Sequence, residues 1–473
     1  MSNTIHELQT DLAAGRVTAT KLVEDALARL EEKQATHNIS LATARDRALE
    51  RARAIDEARA AGKPMGRLAG IPFIAKDNFL TFGTTTTAAA KILEGFEAPY
   101  QATSIEKLEA EGAIMIAKAN LDAFAHGSST ENSYYGPTKN AVDPTRVPGG
   151  SSGGSATAVA LDIVPFALGS DTGGSIRQPA SLSGVLGVKP TYGLVSRYGV
   201  IAMASSTDTI GAFARTADDL ALVMDVMAGK DERDSTTLPD VSTSLLTDKN
   251  QPQRLKIGIV KEYMTDAVQP EVRAAVQKRV DDLRALGHDI EEVSLPSLDL
   301  ALAIYYIIIP AEISSNLSRY DGIKYGLSAE QAKALDEVYG LTRDQGFMAE
   351  NKRRILIGTY VLSSGYYDAY YRKAQTARTI LINEFKKTFE HYDMLIGPVS
   401  PTTAFKLGEN TSDPLKMYLA DIMTVAVSLA GLPAVSVPSG EDKKGLPIGL
   451  QLIGKQRDDG LLFAVTKQLE GVK

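Results

Sequence analysis

Two loops rich in glycine and serine carry the densest chemical signal in this chain. The first, Pro148-Gly149-Gly150-Ser151-Ser152-Gly153-Gly154-Ser155, runs straight into an Ala/Val-rich segment that reads as a helix. A Gly-rich loop opening a helix presents backbone N–H groups at the positive end of the helix dipole. A phosphate cradle uses the same geometry, but no Gly-Lys-Ser/Thr follows and no Gly-x-Gly-x-x-Gly occurs in the loop, so nucleotide binding is poorly supported. The second loop is Gly169-Ser170-Asp171-Thr172-Gly173-Gly174-Ser175-Ile176-Arg177. The N–H groups of Thr172, Gly173, Gly174 and Ser175 can converge on one oxygen, as an oxyanion hole requires, and one such donor is worth about 3 kcal/mol of transition-state stabilisation. An ordinary strand-to-helix turn fits this loop equally well.

A serine nucleophile needs a base. The histidines are His6, His37, His126, His288 and His391, and only the last two follow the serines, as the Gly149-x-Ser151-x-Gly153 elbow of a Ser-His-Asp hydrolase requires. Both fall in helix-to-strand turns, at the opposite edge of a parallel sheet from the serine loops, which lie where such sheets place their sites. Lys76 is the better base. It closes the apolar run Ile71-Pro72-Phe73-Ile74-Ala75 at the same edge as the serines, and burial lowers a lysine pKa by disfavouring the charged form. A lysine paired with Asp77 is the plainer reading of that residue alone.

The elements that must position these groups alternate. Ala19–Glu31 and Ser40–Ala61 have helical spacing; Ile71–Ala75, Ile114–Lys118, Ile163–Gly169, Leu255–Val260 and Asp289–Val293 read as strands, with helices at Ser104–Glu111, Ser155–Leu161 and Pro270–Leu286 between them. From Ser297 to about His391 the signal is nearly all helical, after which strands resume at Met394–Ile396, Ala434–Val437 and Ile448–Ile453 before a last helix over Asp459–Leu469. The pattern predicts an α/β fold, a large, mixed, mostly parallel central sheet covered by helices on both faces.

Composition narrows the chemistry. The chain has 473 residues and no cysteine, so disulfides, thiolate metal sites and a cysteine nucleophile are excluded. Its formal net charge of −7 makes it a poor partner for nucleic acid on its own. The longest apolar stretch, Ala301–Ala311, contains Pro310 and is too short to span a membrane; residues Met1–Thr10 lack the apolar core of a signal peptide, so the expected compartment is the cytoplasm. At about 150 residues per domain the length alone suggests roughly three domains.

Ala75-Lys76-Asp77-Asn78, Pro148–Ala156 and Gly169–Pro179, in that order and with Ser151 and Ser175 24 residues apart, resemble the amidase signature family of serine hydrolases. The resemblance covers essentially the whole chain. It implies one amidase domain over 1–473, with N-terminal helices in 1–60, a catalytic core in 61–240, a helical segment over the site in 297–391 and a return to the sheet in 392–473. It further implies Ser175 as nucleophile, Lys76 as base, Ser151 as relay held by a cis peptide after Gly150, an oxyanion hole from Thr172, Gly173 and Gly174, and support from Asp171 and Arg177. Gly127–Ser133, Lys189–Gly193, Val195–Gly199, Ser314–Gly322 and Ser363–Tyr371 resemble the branch of the family that hydrolyses glutamine for tRNA-dependent amidotransferases. For that branch the implied glutamine-binding residues are Arg354 for the α-carboxylate, Asp421 for the α-ammonium, Tyr306 and Ser128. The implied setting is a heterotrimer: two further subunits, one using ATP and Mg, with tRNA met only through the complex and no metal or cofactor on this chain. A stand-alone amidase acting on small amides is the alternative. Departures from the usual family pattern fall at Ala88, Ala123 and His126 and along Thr207–Ala212.

Overall fold

The computed structural model describes residues 4–240 and 254–472; the outermost residues of the expected 1–473 domain, 1–3 and 473, lie outside the described residues. Among these, eleven strands form one sheet: β1 (Ser40–Thr43), β2 (Pro72–Lys76), β3 (Ile114–Ala119), β4 (Phe166–Asp171), β5 (Leu186–Lys189), β6 (Thr209–Ala214), β7 (Lys256–Val260), β8 (Asp289–Val293), β9 (Met394–Pro398), β10 (Ala434–Glu441) and β11 (Pro447–Gly454). Their order across the sheet is β1-β3-β2-β4-β6-β5-β10-β11-β9-β7-β8. Every residue of β2 to β6, β9 and β11 is buried. Because successive side chains point to opposite faces, this requires cover on both.

The sheet is mixed and belongs to an α/β fold, as the alternation predicts, but parallel pairing is confined to two patches. β2 runs parallel to β3 and β4, and β7 parallel to β8 and β9. The other six pairs are antiparallel. The shift toward antiparallel comes largely from β5 and β6, which the sequence pattern misses because Leu-Gly-Val-Lys and Thr-Ile-Gly-Ala-Phe-Ala are short and broken by glycine.

Two boundaries also move. Ser40–Ala61 is not one helix: Asn38 adopts a left-handed conformation after the helix Ala19–His37, β1 follows, and a new helix spans Arg45–Ala60. Alanine-rich sequence hides that break. β4 starts at Phe166 rather than Ile163, since Pro165 has no N–H for the ladder.

The segment after Ser297 is helical, as its pattern predicts. Pro310, however, lies inside the helix Ala301–Asn316 and does not end it. Helical structure runs from Pro296 to Arg319, and this stretch is long and apolar enough by length and composition to cross a membrane, against the sequence expectation. Ile304, Tyr305, Ile308, Ile309 and Ile313 from this stretch pack with Val425, Ala426 and Val427 in a buried cluster of the protein itself.

Directly beneath the end of β2 lies a buried ion pair. Lys118 Nζ is 2.9 Å from Asp77 Oδ1, with both side chains excluded from solvent. The ammonium also donates to Phe79 O and Thr86 Oγ1, each at 2.8 Å, while Asp77 Oδ2 accepts the Thr87 N–H at 2.9 Å. Removing one partner leaves a buried charge uncompensated. Lys118→Ala should therefore lower the unfolding free energy by about 3–5 kcal/mol, read as the shift of the urea midpoint at constant m; an unchanged midpoint would contradict this account of the pair.

Candidate active site

Lys76 is the last residue of β2 and is fully buried. Its Nζ lies 2.8 Å from Ser151 Oγ, 3.0 Å from Ser170 Oγ and 3.3 Å from Ser170 O. Burial pushes the amine down to about 7; the carboxylates of Asp122, Asp171 and Asp208 pull it back only in part. An amine so placed can exchange a proton near neutrality.

Ser151 follows a cis peptide bond from Gly150. Gly150 is obligatory, since a Cβ there would sit 2.3 Å from Asp122 Oδ2. Asp122 in turn accepts the N–H groups of Thr130 and Asn132 at 2.9 and 3.0 Å, and burial raises its carboxyl to about 6. The Gly150 N–H donates to Gln178 Oε1 at 3.1 Å. Ser152 joins the two serine loops: its N–H donates to Ser175 O and its hydroxyl to Ser170 O, both at 3.2 Å.

Ser175 is 7% exposed and precedes the short helix Arg177–Ser183. The turn 172–175 is held from both ends by Asp171. This carboxylate accepts the N–H groups of Ile176 and Arg177 at 3.1 and 3.4 Å and a bidentate pair from the Arg177 guanidinium, Nε at 3.0 Å and Nη2 at 2.9 Å. Burial would raise the Asp171 carboxyl, but Arg177, with Lys189 and the Ile176 N–H, holds the group below the usual carboxylate range. Arg177 also donates to Gln451 Oε1 at 2.6 Å, Ser428 Oγ at 2.8 Å and Thr424 O at 3.1 Å. Thr424 Oγ1 donates to Gly173 O at 2.5 Å, and a Cβ on Gly174, whose φ is +147°, would meet that hydroxyl oxygen at 2.3 Å. On the other flank Thr172 Oγ1 donates to Asp208 Oδ1 at 2.7 Å.

The four residues expected to bind substrate come together beside this turn. Asp421 Oδ2 accepts Ser128 Oγ at 2.9 Å and the Tyr306 hydroxyl at 3.2 Å. Burial raises the Asp421 carboxyl to about 7. The Tyr306 ring stacks on Tyr418 with centroids 3.9 Å apart, and the Arg354 guanidinium lies 5.4 and 5.6 Å from the two ring centroids. The Arg354 side chain is 4% exposed and pairs with Glu350 Oε1 at 2.8 Å, whereas that of Arg353 is 44% exposed. Of these neighbouring arginines it is Arg354 that turns inward. A cavity of ≈ 200 Å³ lies here, lined by Ser128, His126, Glu350, Arg354 and Tyr418 among others.

The histidines lie apart from the serine–lysine cluster. His288 is buried before β8, where Nδ1 accepts the Leu255 N–H at 3.2 Å and Nε2 meets Gln468 at 3.0 Å. His391 is exposed before β9. His126 lines the cavity, with Nδ1 2.7 Å from Asn351 Nδ2, and burial holds its pKa well below the usual value. Sequence reasoning missed the roles of Ser170, Gln178, Glu350, Tyr418 and Thr424. Only Glu350 left a readable signal, four residues before Arg354 on one helix. Among the described residues no three His, Cys, Asp or Glu side chains gather to hold a metal ion.

The Amidase family matches residues 21–463. The chain is 52% identical over 98% of its length to the glutamyl-tRNA(Gln) amidotransferase A subunit of Thermosynechococcus vestitus, covering 97% of that protein. It is 49% identical over 96% of its length to the protein of the same name from Staphylococcus saprophyticus, covering 94% of it. Among solved structures, the glutamyl-tRNA(Gln) amidotransferase A subunit of Thermotoga maritima superposes with a TM-score of 0.80 at 38% identity, over 96% of this chain and 92% of that one. The Stenotrophomonas maltophilia peptide amidase superposes at 0.82 and 27% identity, over 99% and 96%. With its serine–lysine cluster built on these loops, this chain belongs to the amidase family.

Proposed function

We propose that this chain is the glutamine-hydrolysing subunit of a glutamyl-tRNA(Gln) amidotransferase. The observation that carries the reaction is the buried Lys76 amine, 2.8 Å from Ser151 Oγ in a loop hydrogen-bonded to that of Ser175. Ser175 Oγ attacks the side-chain carbonyl of glutamine. Its proton passes through the Ser151 hydroxyl to the neutral Lys76 amine, and the developing oxyanion is met by the N–H groups of the turn from Thr172 to Gly174. Collapse of the tetrahedral intermediate breaks the C–N bond as the proton returns through Ser151 to the leaving nitrogen. Ammonia departs, a γ-glutamyl ester remains on Ser175, and water delivered by the same base releases glutamate.

The substrate reading rests on the inward-facing charges. Arg354 offers a planar fork for the α-carboxylate, and Asp421 a buried carboxyl whose ionised form an arriving α-ammonium would favour. Tyr306 joins the two, with its hydroxyl on Asp421 and its ring beside the guanidinium. A stand-alone amidase for small amides has no need of this pair.

The relatives' names make each of them one subunit of a glutamyl-tRNA(Gln) amidotransferase, and the reading brought to this chain is a cytoplasmic heterotrimer. Two other subunits complete it. One phosphorylates glutamyl-tRNA with ATP and Mg and amidates it with the ammonia, and tRNA meets this chain only through the complex. The net charge of −7 suits a chain that leaves the tRNA to others.

Three outcomes test this reading. Ser175→Ala should abolish glutamine-dependent amidation by the assembled enzyme while ammonium-dependent amidation continues; loss of both would contradict the division of labour. Arg354→Ala should raise KM for glutamine by roughly tenfold to a few hundredfold, the equivalent of about 1.5–3 kcal/mol for a charged hydrogen bond, with a smaller change in kcat; an unchanged KM would remove Arg354 from the substrate site. Glutaminase kcat/KM should rise with pH through about 7, because Lys76 must lose its proton and Asp421 must lose its own, and both are held near that value. A profile flat from pH 6 to 8 would contradict the lysine base.

A further inference from the structure

We infer that Ser170, supported by Asn78, is the residue that aims the Lys76 amine at Ser151. The inference rests on the reading of Lys76 as the base and goes beyond it. A neutral amine has two hydrogens and one lone pair; an ammonium has three hydrogens. Lys76 Nζ has three oxygens in reach, and two belong to Ser170: Oγ at 3.0 Å and the carbonyl O at 3.3 Å. A carbonyl only accepts. The Ser170 hydroxyl oxygen also accepts from Asn78 Nδ2 at 3.0 Å. With Asn78 and Lys76 both donating, its two lone pairs are used and its own hydrogen must turn elsewhere. A cavity of ≈ 200 Å³ lined by Ser170, Asn78, Asp208 and Met203 provides that space.

Ser170 thus takes two of the amine's hydrogens in either protonation state. The remaining direction at nitrogen points to Ser151 Oγ, 2.8 Å away. There the neutral amine places its lone pair and the ammonium its third hydrogen, so the proton moves along one line in both directions. Ser170 touches neither substrate nor reacting carbonyl in this scheme; it is a positioning residue. It is 4% exposed, Asn78 is 2% exposed, and the Ser170 carbonyl also receives the Ser152 hydroxyl, so the arrangement has little room to relax. The ionisable groups facing the amine are Asp122 from the segment after β3, Asp171 at the end of β4 and Asp208 just before β6.

The test uses the assembled enzyme and full glutaminase pH profiles for Ser170→Ala, Ser170→Thr and Lys76→Met. Ser170→Ala should lower the kcat plateau roughly ten- to hundredfold, the scale of a misaligned reacting group, with KM for glutamine unchanged. Its acidic limb should move to lower pH, because the lost acceptor had stabilised the ammonium over the amine. Ser170→Thr keeps the hydroxyl and should restore most of the rate. An unchanged plateau and limb in Ser170→Ala, beside an inactive Lys76→Met, would overturn the positioning role and leave the base intact. Equal losses in the Ala and Thr variants with an unmoved limb would assign Ser170 to packing. A Lys76→Met variant that still hydrolyses glutamine would overturn the base and this inference with it.

Discussion

Desolvation of one amine organises this molecule. A lysine in water holds its proton at neutral pH and cannot serve as a base. On the proposed mechanism the protein makes it serve by ending β2 between two strands that are buried along their whole length. The three carboxylates around it limit the effect, since without them burial would drive the amine lower still. The balance between lost hydration and retained negative charge sets the pH at which the site can work. On the proposed mechanism it also explains how a chain without cysteine would carry out an acyl transfer with no thiol and no histidine in the cluster.

The same region contains a second lysine used in the opposite sense. Lys118 is as buried as Lys76 but sits 2.9 Å from Asp77, inside a set of hydrogen bonds that closes around both charges. Lys76 has no carboxylate at that range, only hydroxyls and a carbonyl. Two lysines on adjacent parallel strands thus differ in the nature of their oxygen partners. One is neutralised by an ion pair and supports the fold. The other is held by neutral oxygens that fix its direction without fixing its proton.

Much of this was legible in the sequence and some was not. Lys76, Ser151 and Ser175 could be singled out because each sits in a stretch whose composition is odd for its surroundings: a charge at the end of an apolar run, and serines directly after paired glycines. The β7 and β8 strands and the final helix followed from simple periodicity. β5 and β6 did not, because four- and six-residue strands containing glycine look like loop until a neighbour pairs with them. The helical signal after Ser297 was readable, but its apolar stretch was counted only to Ala311, whereas the helix runs on through Pro310 to Asn316, packing overriding the proline's cost. Ser170 stood in full view within the second glycine-rich loop, yet its importance depends on the side-chain partners that fill both its lone pairs. No single-chain pattern encodes such partners when they come from the end of β2 and the turn just after it, more than ninety residues away.

Arg177 carries a consequence for how such a protein can diversify. Its guanidinium ties the nucleophile turn, through Asp171, to Thr424, Ser428 and Gln451, and Thr424 in turn bonds Gly173. Asp421, the proposed partner of the substrate's α-ammonium, lies three residues from Thr424 and accepts its N–H at the main-chain carbonyl. On the proposed reading, recognition at that end and reactivity at Ser175 are therefore one mechanical unit, and a change in one reaches the other. Arg354 meets that unit less directly: it arrives on a separate helix, pairs with Glu350 of the same helix, and reaches Asp421 through Tyr306, whose ring lies beside the guanidinium and whose hydroxyl donates to Asp421. On the proposed reading of the site, new substrates are then most accessible through the Arg354 end, where the path to the Ser175 turn is longest and runs through Tyr306 and Asp421.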